Sequence, residues 1–212
     1  MSVEPLRRHH QLNGAGSGRS PHVAETEKFR TKRLVARSWH PEDLPYAMQL
    51  WGDPAVTALI DSRGKLSEAQ VEEKLRAEIE RERAHGVQYW ALFDNGGGFI
   101  GCAGLRPWSY TTSEADFEVG FHLAKSCWGR GLATEAACGA LDYAWQKLGL
   151  LKVYAGHHPN NRASERILKK LEFEFIGTVL YEPTGLMHPS YVRHRLQPAE
   201  FRPSDVASTH RS

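Results

Sequence analysis

The chain has 212 residues, 41% hydrophobic and 25% charged, with a formal net charge of +2. That suits one domain, or one domain with tails, and supplies enough apolar side chains for a core. Lys and Arg nearly balance Asp and Glu, without the basic stripe of a nucleic-acid binder, and no apolar run approaches the ~20 residues of a membrane helix. Neither nucleic acid nor a membrane is therefore an expected partner.

Residues up to about Glu27 are polar, with a glycine-rich run at Gly14 to Gly18, and read as a tail without the apolar stretch of a secretory signal. The first strand is expected over Arg33 to Arg37. Pro41 suits the first turn of a helix running to about Leu50, which Asp53-Pro54 breaks. Ser67 and Gln70 form a capping box. Val71, Leu75 and Ile79 follow at helical spacing, and Gly86 ends that helix. Tyr89 to Phe93, a turn at Asp94 to Gly98, and Phe99 to Leu105 read as a hairpin. In the next strand, Phe117, Val119, Phe121 and Leu123 take one face, while Glu118, Gly120 and His122 take the other. A glycine at 120 suggests a bulge or a ligand close to the backbone.

The strongest helical pattern runs from Leu132 to Leu148, with a broad stripe rich in alanine, and Gly149 ends it. Lys152 to Ala155 reads as a short strand. Asn160 or Asn161 caps a helix whose Ala163, Ile167, Leu168 and Leu171 face inward. Glu174 to Val179 and Ser190 to Leu196 are the last strands, and a second tail starts at Pro198. Hairpins together with a β-α-β crossover predict an α/β or α+β fold with a mixed sheet rather than a doubly wound one. The three cysteines, Cys102, Cys127 and Cys138, show no CxxC spacing and read as reduced thiols in a cytoplasmic protein.

Chemistry concentrates where the strand ending at Leu123 passes through Trp128-Gly129-Arg130-Gly131 into the helix at Leu132. The first turn of a helix carries free N–H groups and about half a positive charge, and glycines let a ligand approach the backbone, which makes a phosphate site. It is not a P-loop, for no Gly-Lys-Ser/Thr follows, and the glycine spacing does not fit a dinucleotide fingerprint.

The segment Trp128 to Ala136 resembles the acetyl-CoA loop of the GCN5-related N-acetyltransferases, with Gly131 and Ala133 in the last two places of its Gln/Arg-x-x-Gly-x-Gly/Ala pattern. Trp128 in the first place is similar to the branch containing the ribosomal-protein N-terminal acetyltransferases RimJ and RimL. Glu118 to Leu123, Asn161-Arg162-Ala163-Ser164, Leu168 to Phe173, Arg33 to Arg37 and Asp53 to Val56 extend the resemblance over about Phe29 to Leu196. Two positions depart from the pattern. Glu172 replaces the glycine before Phe173, which predicts a turn of different shape, and Leu168 replaces a Tyr that protonates the departing thiolate.

The resemblance implies an acyl-CoA N-acyltransferase domain over 28–197, with a mostly antiparallel sheet of about seven strands and about four helices. It further implies an enzyme that moves the acetyl group of acetyl-CoA to a primary amine by direct attack. An alkyl ammonium has a pKa near 10, so a base must deprotonate it. Glu118 is the first candidate and His122, on the same face, the second. The backbone of Gly129, Arg130, Gly131, Leu132, Ala133 and Thr134, beside Trp128, is expected to hold the pyrophosphate. Phe121 and Leu123 are expected to pair with the pantetheine arm, Asn161 to hydrogen-bond it, and Ser164 to protonate the thiolate. Trp108, Tyr110, Tyr181 and Tyr191 are candidates for an acceptor pocket. His157-His158 lacks a ligand partner at metal spacing, so no metal is expected. The acceptor stays open between protein N-termini and small amines, and the resemblance allows a homodimer. The competing readings are a catalytically silent acyl-CoA-binding module and nucleic-acid binding through the N-terminal tail.

Overall fold

The computed structural model describes residues 27–111, 113 and 116–195. The expected tails, apart from Glu27, and the strand end at Leu196 lie outside them. Eight strands form one sheet in the order β1-β2-β3-β4-β5-β6-β8-β7. They are β1 (Glu27–Arg30), β2 (Leu34–Arg37), β3 (Tyr89–Asp94), β4 (Phe99–Pro107), β5 (Phe117–Leu123), β6 (Lys152–Gly156), β7 (Glu174–Tyr181) and β8 (Leu186–His194). Every neighbouring pair is antiparallel except β5–β6. The α-helices are α1 (Leu44–Trp51), α2 (Pro54–Thr57), α3 (Glu68–His85), α4 (Leu132–Gln146) and α5 (Arg162–Lys170). The mixed, mostly antiparallel sheet agrees with the sequence reading.

The first strand departs from expectation. Glu27 opens β1 rather than ending a tail, and β1 pairs with β2, which starts at Leu34. Its signal is weak because four residues carry only one large apolar side chain, Phe29, which packs edge-on against Trp90 at 6.0 Å. Pro41 starts a 3-10 turn (Pro41–Asp43) that feeds α1. Arg37 fixes that entry through two bonds to the Asp43 carboxylate, at 2.6 and 2.7 Å. After the break, Asp53 accepts from Ala55 N–H and caps the short α2. The Ser67 and Gln70 box caps α3 as expected, and Gly86 ends it with φ 71°.

Two large apolar cores cover the two sheet faces, with a small third cluster of Trp108, Tyr154 and Val192. One joins α4 and α5 to Leu34, Trp90, Leu105, Val119 and Leu123. The other joins α1, α2 and α3 to Tyr89, Ala91 and Cys102. The alternation of β5 thus separates its sides: Val119 and Leu123 join the α4 core, and Glu118, Gly120 and His122 face the other way. Leu168 and Leu171 are buried under α5, whereas Ala163 is exposed. Glu172 adopts φ 57°. The turn keeps the left-handed shape a glycine would take, with a glutamate in it, so the expected change of shape does not occur.

Candidate functional site

Glu118 and Tyr154 form the one recorded bridge between β5 and β6 among the described residues. Beyond it the two parallel strands part, and the backbone edge of Phe121 and Leu123 opens onto a cleft of about 510 Å³. Gly129 and Gly131 turn the chain into α4 with φ 73° and 72°, a region that L side chains avoid. No side chain caps α4, and Glu135 N–H is bonded back to Gly131 O at 3.2 Å. The N–H groups of Leu132, Ala133 and Thr134 therefore lie unclosed at the cleft wall, where the helix end favours an anion. Trp128 stands at the same wall, and its indole N–H donates to Leu123 O at 2.8 Å.

Arg130 does not line the cleft; it is exposed, and its carbonyl accepts from Arg33 Nη1 at 3.1 Å. That bond is one of four tying the β1–β2 turn to the start of α4. Glu135 takes the others from Thr31 Oγ1 (2.6 Å), Arg33 N (2.7 Å) and Arg33 Nε (2.6 Å). Burial pushes the Glu135 carboxyl up, but these donors outweigh it and hold it below its ordinary range. Across the cleft, Ala163, Arg166, Ile167 and Lys170 of α5 form a wall at helical spacing. Neither Arg166 nor Lys170 has an ion-pair partner among the described residues, so two cations are free to meet a phosphate. Sequence reasoning missed both, since exposed basic residues on a helix look like a solvated face.

A second compartment of about 100 Å³ adjoins the cleft. Phe121, His122, Asn161 and Ser164, with Leu59 and Ile60 overhead, belong to both. Glu118 lies in the smaller one. Burial raises its pKa, against the pull of Arg106 and a hydrogen bond from Tyr89 Oη at 2.9 Å. Gly120 makes that bond geometrically possible, because a Cβ there would lie 2.1 Å from the Tyr89 hydroxyl. The glycine clears a path for a tyrosine rather than forming a bulge. Arg106, opposite Glu118 in the β4–β5 register, stacks on the Tyr89 ring with its guanidinium carbon 3.8 Å from the centroid.

Glu78 of α3 anchors this group from below. It bonds Arg106, Arg81 (2.7 Å) and Tyr89 N–H (3.0 Å) while only 1% exposed. Burial pushes its carboxyl up, and the two guanidiniums outweigh that and leave it lowered. Glu78 shares the buried face of α3 with Val71 and Leu75 at helical spacing, but no local pattern shows that Arg106 of the sheet above will meet it.

His122 accepts from the Trp51 indole N–H at Nδ1, 3.3 Å away. Indole only donates, so the neutral ring carries its proton on Nε2. Burial first, then Lys74 and Arg106, hold its pKa well below the ordinary value. Asn161 caps α5 through Oδ1, accepting from Ser164 N–H at 3.0 Å, which leaves its amide NH₂ toward the junction. Leu168 is a buried carbon wall of the smaller compartment. Trp108, Tyr110 and Tyr181 line that compartment too, whereas Tyr191 hydrogen-bonds His157 Nε2 at 3.2 Å and does not. His157 also bonds His158 O, and His158 accepts from Asn160 N–H. Among the described residues no group of three or more His, Cys, Asp or Glu side chains is placed to hold a metal ion.

The model of a family described as an acetyltransferase (GNAT) domain matches residues 33–174. The uncharacterised protein YkkB of Bacillus subtilis (strain 168) is 30% identical over 154 residues, covering 72% of this chain and 88% of YkkB. An acetyltransferase structure from Agrobacterium tumefaciens superposes with a TM-score of 0.67 at 18% identity, covering 89% of this chain and all of that one. RimL, the ribosomal L7/L12 alpha-N-protein acetyltransferase in complex with coenzyme A, superposes at 0.64 with 13% identity, covering 77% and 95%. At these identities the two structures share the fold.

Proposed function

This chain belongs to the GNAT acetyltransferase family, and we propose that it moves the acetyl group of acetyl-CoA to an amine by direct attack at the junction of its two compartments. The chain is an acyltransferase of a family that uses acetyl-CoA. In this reading, its domain spans 28–197. The pyrophosphate lies on the N–H groups at the start of α4, with Arg166 and Lys170 facing it. The arm runs along the open edge of β5, against Phe121 and Leu123 and the Asn161 amide. The thioester then reaches the wall common to both compartments, and the amine enters the smaller one beside Glu118.

Glu118 takes a proton from the incoming ammonium, directly or through one water. The freed lone pair attacks the thioester carbonyl, the C–N bond forms and the C–S bond breaks, and the nitrogen's second proton passes to Ser164 Oγ as the Ser164 hydroxyl proton goes to the departing thiolate. Glu118 suits the role because burial weakens it as an acid while Tyr89 keeps it oriented. His122 does not suit it: one nitrogen accepts from Trp51 and the other carries a proton, so its Nε2–H is a donor for the developing oxyanion. Three unpaired cysteines fit a reducing, cytoplasmic setting.

The carrying observation is the half-buried Glu118 carboxylate beside a wall common to both cavities. Thermal unfolding with and without acetyl-CoA, alongside thiol release on an amine panel, tests it. Acetyl-CoA at ~100 times its Kd should add about 2.7 kcal/mol of stability, and Glu118→Gln should lower kcat by about 100-fold or more without changing that gain. An unchanged kcat removes Glu118 from the mechanism; a stabilised chain that acetylates nothing points instead to a binding module.

A further inference from the structure

Resting on that reaction, we propose that the acceptor is a compact primary monoamine with no second charged group, and that the β7–β8 turn is a clasp that keeps polypeptide N-termini out. Beside β5, the end of β6 and α5, three separate segments wall the smaller compartment: Leu59 and Ile60 after α2, Trp108 and Tyr110 after β4, and Val179, Tyr181 and His188 of the β7–β8 hairpin. Two hydrogen bonds latch the hairpin to its neighbours. Ser62 N–H donates to Pro183 O at 2.9 Å on one side, and Tyr110 Oη donates to Leu180 O at 3.0 Å on the other. Both acceptor carbonyls lie in or beside the turn of the hairpin, and in this reading a polypeptide would have to leave past that end.

Size and charge select the guest. A cavity of 150 Å³ holds a benzene, so about 100 Å³ takes roughly four or five heavy atoms. Among its ionised lining residues Glu118 and Arg106 offset each other, and Arg106 is already committed to Glu78. A carboxylate on the guest would find no free cation. A second ammonium would find no second carboxylate, for the remaining polar lining is phenol, amide, hydroxyl and imidazole. Burial keeps the imidazoles of His158 and His188 neutral: the first lies below its ordinary pKa, and the second falls to about 4. An unpaired charge held against these buried walls is costly. The faces of Trp108, Tyr110 and Tyr181 suit one ammonium with a short apolar body.

The test is thiol release from acetyl-CoA with n-butylamine, 1,4-diaminobutane, 4-aminobutanoate and a six-residue peptide with a free N-terminus. The expected kcat/KM for butylamine exceeds each of the others by about 100-fold. Tyr110→Phe and Ser62→Pro each remove one latch. Each should raise peptide kcat/KM by about tenfold relative to butylamine while the acetyl-CoA thermal shift stays the same. Comparable rates with peptide or diamine overturn the proposal and leave acetyl transfer intact. So does peptide selectivity that both latch variants leave unchanged, since the clasp would then exclude nothing. Turnover with no acceptor, while acetyl-CoA still raises the melting point, overturns the transfer reaction itself.

Discussion

The proposed cofactor side and the proposed acceptor side of the site are built in opposite ways. The cofactor side is nearly continuous in sequence: one strand end, one glycine loop and one helix start, with α5 facing them. Its binding groups are mostly backbone N–H, so its chemistry depends on conformation more than on side-chain identity. The acceptor side draws Glu118, Tyr89, Arg106, Glu78, Tyr181 and His188 from six elements, and its chemistry depends on buried charges that only tertiary packing brings together. A contiguous anion site can therefore lose a residue and be loosened, whereas a dispersed charge network loses its balance.

The largest expected effect tests that contrast at its anchor. Glu78→Gln removes one carboxylate from between Arg106 and Arg81, leaving buried guanidinium charge uncompensated, and should cost about 3–5 kcal/mol in denaturant unfolding. The pH sign follows from the lowered Glu78 pKa: its stabilisation is present above the unfolded value of 4.5 and is lost as pH falls below it. The variant should lack that acid step. Smaller is the effect of Tyr89→Phe. Losing the donor to Glu118 disfavours the carboxylate, so the acid limb of kcat/KM should move up by about one pH unit, or 1.4 kcal/mol. An unmoved limb would separate the phenol from the base.

On the cofactor side, Gly131→Ala puts a Cβ at φ 72° and should cost about 1 kcal/mol. Its signature is a raised KM for acetyl-CoA with kcat nearly kept; a fall in kcat alone would mean the loop acts on the reacting atoms. The smallest expected change is a gain. Glu172→Gly relieves the left-handed strain at φ 57°, and melting should show about 0.5–1 kcal/mol of added stability with no kinetic change.

Much of the fold was legible because it is written in local patterns. The Ser67–Gln70 box, the alternation of β5, the alanine stripe of α4 and the glycines at its start each specify their own segment, and the structure carries them at those positions. β1 escaped because a four-residue edge strand with one large apolar side chain has no period to read. Gly120 was visible, but its partner was not: a Cβ there would meet the Tyr89 hydroxyl, which lies on a strand far back in the sequence. The basic wall of Arg166 and Lys170 escaped for the same reason, since a helix pattern does not say which solvated face borders a cleft.

By itself the sequence determined the mixed sheet, the glycine turn into α4 and the face of β5 that carries Glu118, because backbone conformation and face alternation are properties of neighbouring residues. Tertiary structure alone decided the surroundings and pairing of Glu118, the Trp51 bond that fixes the His122 tautomer and the meeting of the β7–β8 hairpin with the segments after α2 and β4. Burial, charge compensation and hydrogen-bond partners belong to pairs of residues far apart in the chain, and no local pattern encodes which of them will meet.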